Sequence, residues 1–144
     1  MSNLGIGNIF GTFSGIITSL GLIIGMYSND LQKRAYIVGL LSISLSDSFS
    51  DAFGIYNATD RSFVESINAF SGKFIFPVIM TIPFLITSIE NALIINSIFS
   101  TYVIYYISKE MKYDNIQIIK NLTLTWSVVG IIYWMGLGIN KINL

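Results

Sequence analysis

Ala35–Tyr56 reads AYIVGLLSISLSDSFSDAFGIY. It is apolar enough and long enough to cross a bilayer, for which roughly 20 residues suffice. Yet Asp47 and Asp51 interrupt it, four residues apart and therefore on one face of a helix. A carboxylate near the middle of a membrane helix costs roughly 2.5–3.5 kcal/mol on insertion scales. Two on one face repel each other as well, so the pair requires protein, water or a cation beside it. Ser44, Asp47, Ser48 and Asp51 follow the i, i+3, i+4, i+7 rule and line one polar stripe. Ser42, Ser46, Ser50 and Gly54 make an adjoining stripe of small residues.

The rest of the 144-residue chain has the same character: 53% hydrophobic and only 11% charged, with mean hydropathy +0.68. Soluble domains carry about 25% charged residues, so the composition reads as an all-α, multi-pass membrane protein. Five apolar segments are expected as one transmembrane domain over 1–144, at about 9–27, 35–56, 70–87, 91–108 and 121–139. Net charge is zero and the basic residues are scattered, which gives no footprint for nucleic acid. The start, MSNLGIGN, lacks the basic region of a cleavable signal, so the first segment is expected to be retained. With no cysteine and no histidine, thiolate and imidazole metal sites, disulfides and His-based catalysis are excluded. No phosphate-binding glycine loop or supported nucleophile is present either, so an enzyme is not expected, nor a prosthetic group.

In the first segment, Gly7, Gly11 and Gly15 recur at four-residue spacing, and Gly21 and Gly25 repeat it. Such stripes let membrane helices approach closely, in a dimer or within one chain. Ser14 and Thr18 lie on a neighbouring stripe, able to serve a site or to bond back to their own helix. Asn57–Ala69 reads as a polar interfacial connector, and Lys109–Lys120 as a charged one. Pro77 and Pro83 are expected to kink the third segment. Glu90 opens the fourth, as a surface carboxylate favoured by the helix N-terminus or as a residue at a pore mouth. Trp134 and Tyr27, Tyr36, Tyr56, Tyr105 and Tyr106 fit aromatic interface belts. Arg61, Lys73, Lys109, Lys112 and Lys120 fall on one side of the membrane and Lys33, Arg34 and Lys141 on the other. That excess places the N-terminus in the cytosol.

Hard divalent cations take oxygen ligands, and carboxylates supply both ligand and charge. Asp47 and Asp51, with Ser44, Ser48 and Ser14 as neutral oxygens, are the candidate metal ligands, and the two Asp the candidate proton carriers. Metal entering as protons leave is the core of an antiporter. Two carboxylates are few for six ligands, so a homodimer through helices 1 and 2 is expected to bring four together.

Phe13–Gly25 (FSGIITSLGLIIG) and Leu45–Asp60 (LSDSFSDAFGIYNATD) resemble the first and second helices of the vacuolar iron transporter family. Gly54-Ile55-Tyr56 matches the end of that family's second helix, and the paired prolines and five segments agree. The resemblance implies a dimeric, five-helix exporter of Fe(II) or related cations from the cytosol in exchange for protons. Three departures bear on the ion. Ser14 stands where the family has an Asp, Asp51 where it has a Met, and the cytosolic metal-binding insertion has no counterpart between Asn57 and Ala69. A harder ion such as Mn(II), Mg(II) or Ca(II) suits Asp and Ser oxygens. The alternatives are a non-transporting membrane scaffold that retains the fold, and a leak channel with a continuous wetted path.

Overall fold

The computed structural model describes residues 5–60 and 62–141. The first residues of MSNLGIGN and Arg61, counted above for orientation, lie outside them. Five helices follow one another: α1 Ile6–Tyr27, α2 Lys33–Ala58, α3 Phe63–Ile86, α4 Ile89–Glu110 and α5 Asn115–Asn140. The described residues contain no strand.

Each helix starts before its apolar segment, and at α3, α4 and α5 a polar cap rather than hydropathy sets the start. Ser62 accepts a hydrogen bond from the Glu65 N–H, Ser88 from Asn91 and Asp114 from Gln117. Such caps satisfy N–H groups that the helix itself leaves unpaired. The connectors expected at 57–69 and 109–120 are therefore largely helical. What remains are tight joints, with Asp30, Asp60 and Lys112 in the left-handed region just past the ends of α1, α2 and α4.

α3 is the middle element and packs along both α1 and α2. α5 lies on α1, and α4 closes the bundle against α3, α5 and α1. The α1–α3 approach is backbone against backbone. A Cβ built on Gly11 would stand 2.3 Å from the Ala69 carbonyl oxygen, and one on Gly15 would stand 3.2 Å from the Lys73 Cα. Gly21 and Gly25 face Ile132 of α5. Both glycine stripes of α1 are thus consumed inside the chain, and the close dimer contact expected of them is taken by α3 and α5.

The apolar core gathers Ile16, Leu20, Ile23, Leu40, Met80 and Phe84. Tyr36, expected in an interface belt, is instead buried and stacks on Phe84 with ring centroids 4.9 Å apart. Trp134, Tyr27, Tyr105 and Tyr106 do lie exposed. α3 stays helical through Pro77 and Pro83. Pro77 leaves the Lys73 carbonyl without its helical N–H partner.

Around that apolar core some polar side chains are buried, and the surface is far more apolar than that of a water-soluble protein. Ser44, Ser48, Lys73, Asn96, Ser100 and Thr125 are buried, while Phe49, Phe53, Ile98, Ile131 and Trp134 are exposed. α1, α3 and α5 are long and apolar enough to cross a membrane. α2 and α4 do not meet that measure; the carboxylates and serines of α2 lower its hydropathy.

Gly11→Leu should force α1 off α3 and destabilise the bundle by about 1–3 kcal/mol, the usual range for overpacking. Gly54→Ala, with open space around it inside α2, should leave the thermal unfolding midpoint in detergent at or slightly above wild type. Equal midpoints for both variants would contradict the packing.

Candidate functional site: a lysine caged by two carboxylates and two hydroxyls

The acidic pair on α2 faces α1 and α3 and meets a side chain not counted among the site residues. Lys73 projects from α3 into the space between the three helices, its side chain only 3% exposed. Its Nζ donates to Ser14 Oγ at 2.6 Å and to Thr18 Oγ1 at 2.7 Å, both on α1. Asp47 Oδ2 lies 3.3 Å from the same nitrogen and Asp51 Oδ2 3.5 Å. Four oxygens thus surround one ammonium, which has three N–H groups to give.

Local sequence explains why the group can form. Lys73 is the eleventh residue of α3, Asp47 the fifteenth of α2 and Ser14 the ninth of α1, so all three sit near mid-helix. Gly15 lets the Lys73 backbone lie against α1, which brings the amine alongside Ser14 and Thr18, a turn apart. The hydroxyls are further ordered. Thr18 Oγ1 donates to the Ser14 carbonyl at 2.6 Å, and Ser14 Oγ donates to Asp51 Oδ2 at 2.9 Å. A directed chain results: Lys73 N–H to Ser14 O–H to Asp51. With both Asp ionised and Lys73 protonated, the cluster carries one net negative charge.

Of the expected ligands, Asp47, Asp51 and Ser14 converge here. Ser44 and Ser48 do not. Both are buried, but Ser44 Oγ donates to the Leu41 carbonyl at 2.8 Å and Ser48 Oγ to the Ser44 carbonyl. Back-bonding, the ordinary fate of a helical serine, consumes them. Glu90 is exposed at the start of α4. Its own backbone N–H and the Ser88 hydroxyl hold its carboxylate below the usual range. Glu90 thus sits exposed at a helix N-terminus, with no contact to the cluster. Thr18 does both things its position on the Ser14 stripe allows: it bonds back to the Ser14 carbonyl and accepts from Lys73. Lys73 lies near the start of the expected third segment, 70–87, and is counted above only for orientation; its place in the apolar SGKFIFP run (Ser71–Pro77) is the signal for it.

A second acidic contact lies further towards the N-terminus of α3. Glu65 accepts the Gly7 N–H at 2.5 Å and so completes the open first turn of α1, where negative charge is favoured. Among the described residues no group of three or more acidic, His or Cys side chains could hold a metal by itself. The cluster opens in two directions. The Asp47 and Asp51 side chains are 36% and 21% exposed along α2. On the other flank Ser14 helps line a cavity of about 380 Å³ with Phe10, Phe13, Tyr113 and Asn121. Comparison with protein-family models, curated proteins and solved structures gives no match.

Lys73→Met would strand both carboxylates. The expected loss is roughly 2–3 kcal/mol, at the low end for breaking a buried pair because Asp47 is partly open to solvent. Adding Asp51→Asn to Lys73→Met should restore part of it. Unfolding of the purified variants in detergent measures both; an undiminished Lys73→Met would show that the ammonium does not hold the pair.

Proposed function

We propose that this chain is a membrane exchanger of a divalent metal cation against protons, working at the Asp47–Asp51–Lys73 cluster. The observation that carries the reading is the oxygen cage around a positive charge at mid-helix, between three helices. Buried ionisable groups inside membrane proteins are expensive and mark ion or proton paths. Here the anionic groups outnumber the resident cation by one.

In this reading all five helices span the bilayer. The lengths of α2 and α4, 26 and 22 residues, correspond to about 39 and 33 Å. Their exposed faces carry Val38, Leu41, Leu45 and Phe49 on α2 and Ile94, Ile98 and Tyr102 on α4. The N-terminus lies in the cytosol: with Lys73 removed from the tally, Arg61, Lys109, Lys112 and Lys120 still outnumber Lys33, Arg34 and Lys141. The cytosolic N-terminus read from the charges and the five-helix plan agree with the resemblance to vacuolar iron transporters, which implies export from the cytosol. The donor set of Asp47, Asp51, Ser14 and Thr18 is all oxygen, which favours Mn(II), Mg(II) or Ca(II) over a softer ion. The dimer is reassigned to the open face of α2, where Ser42, Ser46, Ser50 and Gly54 remain exposed beside the Asp47 edge of the cluster.

One observation favours the scaffold reading: Lys73 already compensates the carboxylates, so the cluster can serve as an internal ion pair that only holds three helices together. Transport separates the two. In proteoliposomes the wild-type protein should take up Mn(II) against a counterflow of protons, and Asp51→Asn should reduce uptake to that of protein-free vesicles. Uptake unaffected by Asp51→Asn would refute the exchanger, and no uptake by correctly inserted wild-type protein would leave the scaffold.

A further inference from the structure

Resting on the exchanger reading, we infer that the cavity between α1 and the joint of α4 with α5 is the water-filled entrance through which a hydrated divalent cation reaches the cluster. Its walls are Ile9, Phe10, Phe13 and Ser14 from α1, Tyr113 from the joint and Asn121 from α5. Ser14 is the one member of the cluster among them. Tyr113 stands in the short turn after α4, at the end of the bundle, while Ser14 is the ninth residue of α1. The α1 wall from Ile9 to Ser14 climbs about 7.5 Å along the helix. The space therefore leads from the bundle's end to the residue whose hydroxyl accepts from Lys73 and donates to Asp51. With five spans and a cytosolic N-terminus, that end faces the cytosol.

Size and chemistry suit the cargo. The cavity holds about 380 Å³, against roughly 180 Å³ for six waters at about 30 Å³ each, so an ion can enter with its first shell of water in place. Asn121 supplies the polar lining. Its Nδ2 donates to Ser108 Oγ at 3.2 Å and its Oδ1 accepts from Gln117 Nε2 at 3.3 Å. A side-chain amide has a second N–H and a second lone pair beyond those. Such a group is costly against lipid and cheap against water. Lys112 and Asp114 flank Tyr113 with opposite charges, so the charges next to the mouth cancel.

The route ends at the cluster. Past Phe13 the space between α1 and α5 shrinks to about 150 Å³, walled by Ile17, Leu124 and Val128, and Thr125 Oγ1 bonds back to the Asn121 carbonyl. Water admitted at Tyr113 meets apolar side chains there, not an open way across. The carboxylates open on a different flank, along α2, where Asp47 and Asp51 are partly exposed.

The chain has no cysteine, so single introduced thiols report water directly. In proteoliposomes, Asn121→Cys should react with a charged, membrane-impermeant methanethiosulfonate, added on the side of the α4–α5 joint, about tenfold faster than Ile119→Cys, because only a hydrated thiol ionises to the reactive thiolate. Ile119 is the control: it lies nearer the start of α5, is 62% exposed and is outside the cavity. The adduct at Asn121→Cys should then cut Mn(II) uptake to that of protein-free vesicles, while the adduct at Ile119→Cys leaves uptake intact. Ile9→Cys, on the opposite wall, gives the same readings against the same control if Asn121→Cys does not fold. A labelling rate at the cavity position no greater than at Ile119, or full uptake after complete modification, would overturn the entrance and leave the exchanger standing. If the wild type moves no Mn(II), the exchanger reading falls and the entrance with it, whatever the labelling rates.

Discussion

An ammonium group inside a helical bundle, ringed by oxygens from two neighbouring helices, is the constraint to which the rest of this chain answers. Isolated, any one of Lys73, Asp47 and Asp51 would be a heavy penalty in an apolar interior. Together they supply one another with counter-charge and hydrogen bonds, and Ser14 and Thr18 complete the donor and acceptor count. The arrangement needs α1, α2 and α3 all at close range, so the cluster and the helix packing are one problem rather than two.

That packing is secured by absence of side chains. Gly7, Gly11 and Gly15 let α1 lie on the backbone of α3, and only at that separation can Lys73 reach across to Ser14. The apolar core of Ile16, Leu20, Tyr36, Met80 and Phe84 fixes the same three helices further along. One end of the bundle is held by dispersion and ring stacking, the middle by charge, and the α1 N-terminus by Glu65. Asn96, buried on α4, ties that helix in by donating to the Met80 carbonyl at 2.9 Å.

How much of this could be read from the residues depended on which physical signal was used. The number and order of helices followed from hydropathy, and the common face of Asp47 and Asp51 followed from helical period. Helix starts did not, because Ser62, Ser88 and Asp114 act through hydrogen bonds that hydropathy does not register. The error had a direct cost. With α3 begun at Phe70, Lys73 reads as a terminal charge able to reach the headgroups; begun at Phe63, it lies ten residues in and has nowhere to go but inward. Ser44 and Ser48 shared the right stripe, yet helical period says nothing about whether a hydroxyl turns towards a neighbour or its own backbone. The glycine stripe showed that something would come close but not that the partner was α3.

Pro77 stands one turn after the lysine, and the carbonyl it leaves unbonded is that of Lys73 itself. A helix missing one rung of its ladder flexes there more readily than elsewhere. The chain has therefore set its buried amine on one of the two turns of its central rod that lack a rung, the other lying before Pro83. The missing backbone bond and the buried charge coincide in a single stretch of α3.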